Sequence, residues 1–205
     1  MNKLAFGTAL AALSLALPGA AQAQRAPGAV IVVVDTDRIY RDCTACKAAQ
    51  TQLGGQITAA RTRAQQLGQP LDTEAQSIQA AGNALRNQTG AARTAAETAL
   101  NTRMQQFQQR QTSAQQEIAR LEQNIQSTQQ NVLRQINAQL NPIITRVMNG
   151  RNANVALDVN ATLARSNAID VTNEVMTALN AALPSVSVTP LPQAQQPAQP
   201  QPQGR

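Results

Sequence analysis

The chain has 205 residues, with 17 Lys+Arg against 11 Asp+Glu, a formal charge of +6, no His, no Trp and only three aromatics, Phe6, Tyr40 and Phe107. Without imidazole the Ser-His, Cys-His and His-metal chemistries are closed to it. Lys47 is followed by Ala48, so the chain has no phosphate-binding G-x-x-x-x-G-K-S/T loop. So few aromatics argue against a large core of the ordinary kind, and the composition predicts a non-enzyme without metal or cofactor.

Residues 1–23 read as a secretory signal. Lys3 supplies the positive start, Leu4 to Leu17 the apolar stretch, Pro18-Gly19 the helix break, and Ala21-Gln22-Ala23 the small-x-small cleavage pattern, which places cleavage after Ala23. The apolar run is too short for a membrane span, and an uncleaved interfacial anchor is the alternative. Export implies a setting that oxidises thiols and lacks ATP.

After a linker comes Val30-Ile31-Val32-Val33-Val34, a β-branched run that predicts a strand buried on both faces and bounded by Asp35. A second run, Val155-Ala156-Leu157-Asp158-Val159, predicts its counterpart. Between them lies an Ala/Gln/Arg-rich segment of strong helix formers. Within it Ile39, Cys43, Cys46, Gln50, Leu53, Ile57, Ala60, Ala64, Leu67 and Leu71 recur in alternating steps of four and three, extended by Glu74, Ile78, Ala81 and Leu85. A second register runs Met104, Phe107, Gln111, Ala114, Ile118, Leu121, Ile125, Thr128 and Val132. A mean step of 3.5 marks a coiled-coil seam. An amphipathic helix on a globular core is the alternative, disfavoured because the stripe is narrow.

Gly68-Gln69-Pro70 predicts a kink, and residues 82–92, with Gly82-Asn83 and Asn87-Gln88-Thr89-Gly90, predict the reversal. Two antiparallel arms of about 45 to 55 residues would then each reach ~70 to 80 Å. The returning arm is expected to end near Leu140-Asn141-Pro142, with Asn149-Gly150 as a further stop. Asp170 is the expected N-cap of a helix over Val171–Leu183, with Val171, Val175, Ala178, Leu179 and Ala182 on its apolar face. Residues 190–205 are Pro/Gln-rich and predict a disordered or polyproline-like tail.

Two strands and one short helix make a marginal body with open edges. Insertion into a sheet shared between copies removes them. The predicted fold is therefore α+β, mostly α. Its oligomerisation hub is built from residues 24–35 and 150–189, and a helical hairpin arm over 36–149 projects from it. Val32, Val34, Val155, Leu157 and Val159 are the oligomerisation candidates. Arg86, Arg93, Arg103 and Arg110 face only Glu97 in the distal arm and are candidates for electrostatic contact with acidic clients or anionic lipid. An ordinary solvated flank is the alternative.

Three stretches resemble the Skp/OmpH family of periplasmic chaperones: Ile31 to Asp35 passing into a helix near Thr36 that reaches Gln50, the Gln/Arg-rich hairpin, and Val155 to Ala161 continuing through Ala168-Ile169-Asp170-Val171-Thr172. The resemblance covers roughly residues 29–183. It implies a homotrimer shaped like a jellyfish, with a β-barrel hub and three arms around a cavity. It implies, too, an ATP-independent holdase for unfolded outer-membrane β-barrel proteins in the periplasm. Lipopolysaccharide is a further partner among relatives, with no residue carried over for it.

Cys43-Thr44-Ala45-Cys46 departs from the family pattern. Its three readings are small packing residues, a structural disulfide and exchange-active thiols; two thiols alone make a poor metal site. A coiled-coil adaptor bridging envelope components is the competing function, and an exported thiol oxidoreductase a weaker one. Dispersed Arg and missing aromatics speak against nucleic acid as a partner.

Overall fold

The computed structural model describes residues 28–192; the signal reading at 1–23 and most of the tail reading fall outside that range. Strand β1 (Ile31–Val34) is followed by a short helix α1 (Thr36–Asp42), the outgoing arm helix α2 (Thr44–Ala84) and the returning helix α3 (Gly90–Gly150). Strand β2 (Val155–Asp158) and helix α4 (Thr172–Ala182) complete the body.

The arm follows the seam. Leu53, Ile57, Ala60, Ala64, Leu67, Leu71, Ile78 and Ala81 are half-buried along α2, as is Leu85 just after it; Ile57, Ala60 and Ala64 meet Ile118, Leu121 and Ile125 of α3, and Leu71 meets Phe107, Ala114 and Ile118. Met104 and Gln111 of the second register are exposed. The chain reverses through a 3-10 turn at Leu85–Asn87, then Gln88 and Thr89. Gly90 has φ +62°, a left-handed value that glycine adopts without strain. At 1.5 Å per residue the 41 residues of α2 span about 60 Å and the 61 of α3 about 90 Å. The excess of α3 is its root, which packs on the body.

Three local expectations are corrected. Helix α2 runs on through Pro70, where a kink is expected, and α3 runs on through Pro142. Both prolines are exposed, as are Gln66 and Ala138, the residues whose carbonyls lose a helical donor. Consequently α3 passes Leu140-Asn141-Pro142 and runs to Gly150, burying Leu140 and Ile143 in the body. The helix expected to run unbroken from near Thr36 to Gln50 instead has an elbow at Cys43, whose ψ of 147° is extended. Asp170 sits one residue before the observed cap Val171, yet its Oδ1 still accepts from the Thr172 N–H at 3.0 Å.

The strands pair with each other, in parallel, with Ile31 opposite Val155 and Val34 opposite Asp158. The whole arm is the crossover between them. The free edge of β1 is closed by the Val171 N–H donating to the Val33 carbonyl at 3.0 Å. Val32, Val33 and Val34 are thereby buried inside one protomer, with Val32 and Val34 in a core shared with Ile39, Ile136, Leu140, Ile143, Val171, Val175 and Leu179. The expectation that β1 needs other copies for its burial is corrected: α4 and the root of α3 cover it. Ala182 on the expected apolar face of α4 is exposed.

Candidate functional site

Alternation along the paired strands separates two faces. Val32, Val34 and Ala156 point to the core, whereas Ile31, Val33, Val155 and Leu157 share the other face. That second face is only partly covered: Val33 is 1% exposed, but Ile31 is 38% and Leu157 36%. Val30, just before β1, is also exposed, as is Leu163 in the loop after β2. Among the described residues β2 pairs on one side only, so its other edge presents unpaired backbone next to this apolar strip. Of the five oligomerisation candidates, Val155, Leu157 and Val159 therefore lie at or near the surface, while Val32 and Val34 are spent on the protomer's own core. Ile31 and Leu163 were not among the candidates. The unbroken Val30–Val34 run hid the difference between its faces, and Leu163 stands alone in a polar loop.

Asp158 ties this edge to the arm. Its Oδ2 accepts from the Thr36 hydroxyl and, at 3.3 Å, from the Thr36 N–H, while Oδ1 accepts from the Asn160 N–H at 2.7 Å. The Thr36 hydroxyl hydrogen bond is the largest influence and holds the carboxyl below its ordinary value, against the opposing effect of burial. For Asp170 burial pushes upward, but hydrogen bonds from Thr172 and the Arg165 guanidinium outweigh it and the carboxyl is again lowered. Asp35 begins α1 by accepting from the Arg38 N–H at 2.8 Å.

The arm's charges are more balanced than the linear count from Arg86 to Arg110 predicts. Arg93 pairs with Glu97 one turn on, at 2.8 Å. Arg103 and Arg110, seven residues apart, bracket Glu74 of α2, which forms an ion pair with each. The count over that window leaves out Glu74 because it arrives from the other helix; with it the four Arg face two Glu, and the net charge falls from +3 to +2. Arg86 at the turn forms no ion pair among the described residues. Nearer the body, Arg63 donates to Glu117 across the arm at 2.7 and 3.3 Å, which holds that carboxyl below its ordinary value.

Cys43 and Cys46 are joined by a disulfide and both are buried. The packing and disulfide readings are thus compatible: the pair fills the core beside Ile39 and Ala49. Among the described residues no three His, Cys, Asp or Glu side chains gather in a way that could hold a metal ion, and no helix is long and apolar enough to cross a membrane.

A family model described as "Outer membrane protein (OmpH-like)" matches residues 30–179, from the start of β1 into α4. The chain belongs to the OmpH-like family. Its fold resembles a crystal structure from Caulobacter crescentus described as an OmpH-like outer membrane chaperone, with a TM-score of 0.65 and 21% identity over 82% of this chain and 94% of that one. No curated protein matches the chain. The match accounts for the order of elements in this OmpH-like chain, strand, long hairpin, strand and final helix. It covers the open β2 edge as well as both arm helices.

Proposed function

We propose that this OmpH-like chain is an ATP-independent holdase that works in the periplasm as a homotrimer, keeping unfolded outer-membrane β-barrel proteins from aggregating between its arms. One observation carries the reading: a body whose sheet is sheltered on one face and bare along one edge, joined to arms that reach far beyond it. A bare β2 edge carrying the exposed Leu157, on a face that also exposes Ile31, suits pairing with further copies. Closure of three such bodies into a barrel hub would aim the three arms to one side. The arms offer long, half-apolar seams without any deep pocket, which fits retention of a fluid client through many weak contacts. Export after Ala23 would place the protein where such clients pass. Arg86 is the arm residue best placed for acidic clients, anionic lipid or lipopolysaccharide, since Arg93 pairs with Glu97 and Arg103 and Arg110 share Glu74.

Light scattering on the protein purified from the periplasm is expected to give three times the chain mass. Dilution of a urea-unfolded outer-membrane protein into buffer with the trimer should leave it soluble, and into buffer alone should not. A monomer that fails to suppress aggregation would overturn the reading. A trimer that fails to suppress it would favour the envelope adaptor.

A further inference from the structure

After α4 the chain does not leave the body. Residues 184–191 turn back and run along the arm root in an extended path toward the tip. Val188 is buried in the core and Val186 packs against it. The backbone is held by side chains of the arm. Gln135 binds Ser187 twice, its Oε1 accepting from the Ser187 N–H and its Nε2 donating to the Ser187 carbonyl, each at 2.9 Å. Asn131 Nδ2 donates to the Thr189 carbonyl at 3.0 Å, and the Leu191 N–H donates to Ser127 Oγ at 2.9 Å. From the other helix Gln56 Nε2 donates to the Val188 carbonyl at 2.9 Å.

This is a ladder with matched periods. Gln135, Asn131 and Ser127 recur every four residues, about 6 Å along a helix, and Ser187, Thr189 and Leu191 every two, about 6.6 Å along an extended chain. Of the tail expected to be disordered or polyproline-like from residue 190, Leu191 is held on the arm through Ser127. Beyond Leu191 the same α2–α3 groove continues, about 480 Å³ in volume, between Ala59, Ala60 and Arg63 on one side and Leu121, Asn124 and Ile125 on the other. The Arg63–Glu117 ion pair crosses the arm at its far end. From Ser127, where Leu191 is held, to the Arg63–Glu117 pair the arm runs about 15 Å, enough for the four or so extended residues that follow Leu191.

We propose that this groove is a docking site for residues 193–195 of the same chain, with Ala194 the residue that meets its floor. The alternation continues through the sequence. Val186 packs on the core and Val188 is buried in it, while Pro190 is exposed and borders the open groove; the even positions that follow are Pro192, Ala194, Gln196, Ala198 and Pro200, so Ala194 is the first small one, with Gln193 and Gln195 on either side of it. Small side chains suit a floor lined by Ala59 and Ala60, and Asn124 offers an amide to the next backbone groups. Tethering at Leu191 holds the segment at an effective concentration in the millimolar range, so a weak contact suffices. Docking in cis lengthens the clamp across α2 and α3 and covers Leu121 and Ile125. It requires neither a client nor a second copy, and is independent of the holdase reading.

A photo-reactive benzoylphenylalanine placed at Gln195 of the full chain is expected to cross-link to Ala59–Arg63 or Leu121–Ile125 of its own chain. Mixed isotope-labelled and unlabelled protein separates links within a chain from links between copies. Links to another copy, to other surfaces, or none at all would overturn the proposal. Amide exchange over 117–127 gives a second measure. It should be several-fold slower in the full chain than in one ending at Pro192, and a chain ending at Gln196 should behave as the full chain. Equal exchange with and without 193–196 would overturn it.

Discussion

Asp158 sits where the start of α1 meets the end of β2, and its two oxygens serve Thr36 on one side and Asn160 on the other. Its carboxyl and that of Asp170 are both lowered in the fold. An acid whose folded pKa lies below its unfolded value stabilises the fold fully above the unfolded value, near pH 4, and loses that contribution as pH falls through the folded value. The thermal midpoint should therefore hold from pH 7 to about 5 and fall steadily below about 4. Asp158→Asn should cost about 1 kcal/mol at pH 7 and flatten part of the acid decline. A variant with the wild-type acid profile would remove Asp158 from this role.

At the scale of elements, the elbow between α1 and α2 is the feature with most consequence. Cys43 ends α1, its N–H donating to the Ile39 carbonyl at 3.0 Å, and begins α2, its Sγ accepting from the Cys46 N–H at 3.0 Å. Asn180 of α4 then caps the Thr44 N–H at 2.8 Å. The disulfide closes one turn at this joint, where the arm leaves the body. Cys43→Ala with Cys46→Ala should lower stability by about 2 kcal/mol, the loop-closure value for so short a ring. The check is the urea midpoint, and wild type in reductant should shift the same way. An unchanged midpoint would mean that packing alone sets the elbow.

Much of the element plan is legible in the sequence, for definable reasons. The stripe from Leu53 to Leu85 is local and periodic, so its burial follows from spacing. Gly90, with its positive φ, marks the reversal by residue type. The elbow is not legible, because Ile39, Cys43, Cys46 and Gln50 keep the helical steps straight through it. Pro142 misleads as a stop because a helix carries a proline through where the residue four before it, Ala138, is exposed, which spacing does not reveal. The Glu74 ion pairs require knowing where the hairpin turns, and the strap requires knowing that Ser127, Asn131 and Gln135 face a chain 52 to 64 residues later. Of the candidate hub residues, alternation alone separates the core-facing Val32 and Val34 from Leu157, but only once the sheet's covered face is known.

For the whole molecule the division of labour between faces makes a clean test. Leu157 is exposed in the protomer, so Leu157→Asp should leave the fold and its thermal unfolding nearly unchanged. At an interface with other copies the same change buries an unpaired charge, and the mass by light scattering should fall from three chains to one. A trimer that survives the substitution would move the interface away from β2. The variant should suppress aggregation less well as its copies separate.

The parallel pairing of Ile31 with Val155 places everything in between, arm and elbow alike, as one long excursion from a small sheet. The two arm helices rise side by side and meet the sheet only at their roots. Reach is thus uncoupled from the body: matched seven-residue pieces could be spliced into or out of both helices, preserving the seam, the elbow and the strand register while resizing the space the limbs enclose. The same scaffold can in this way be tailored to cargo of different bulk without redesigning its base.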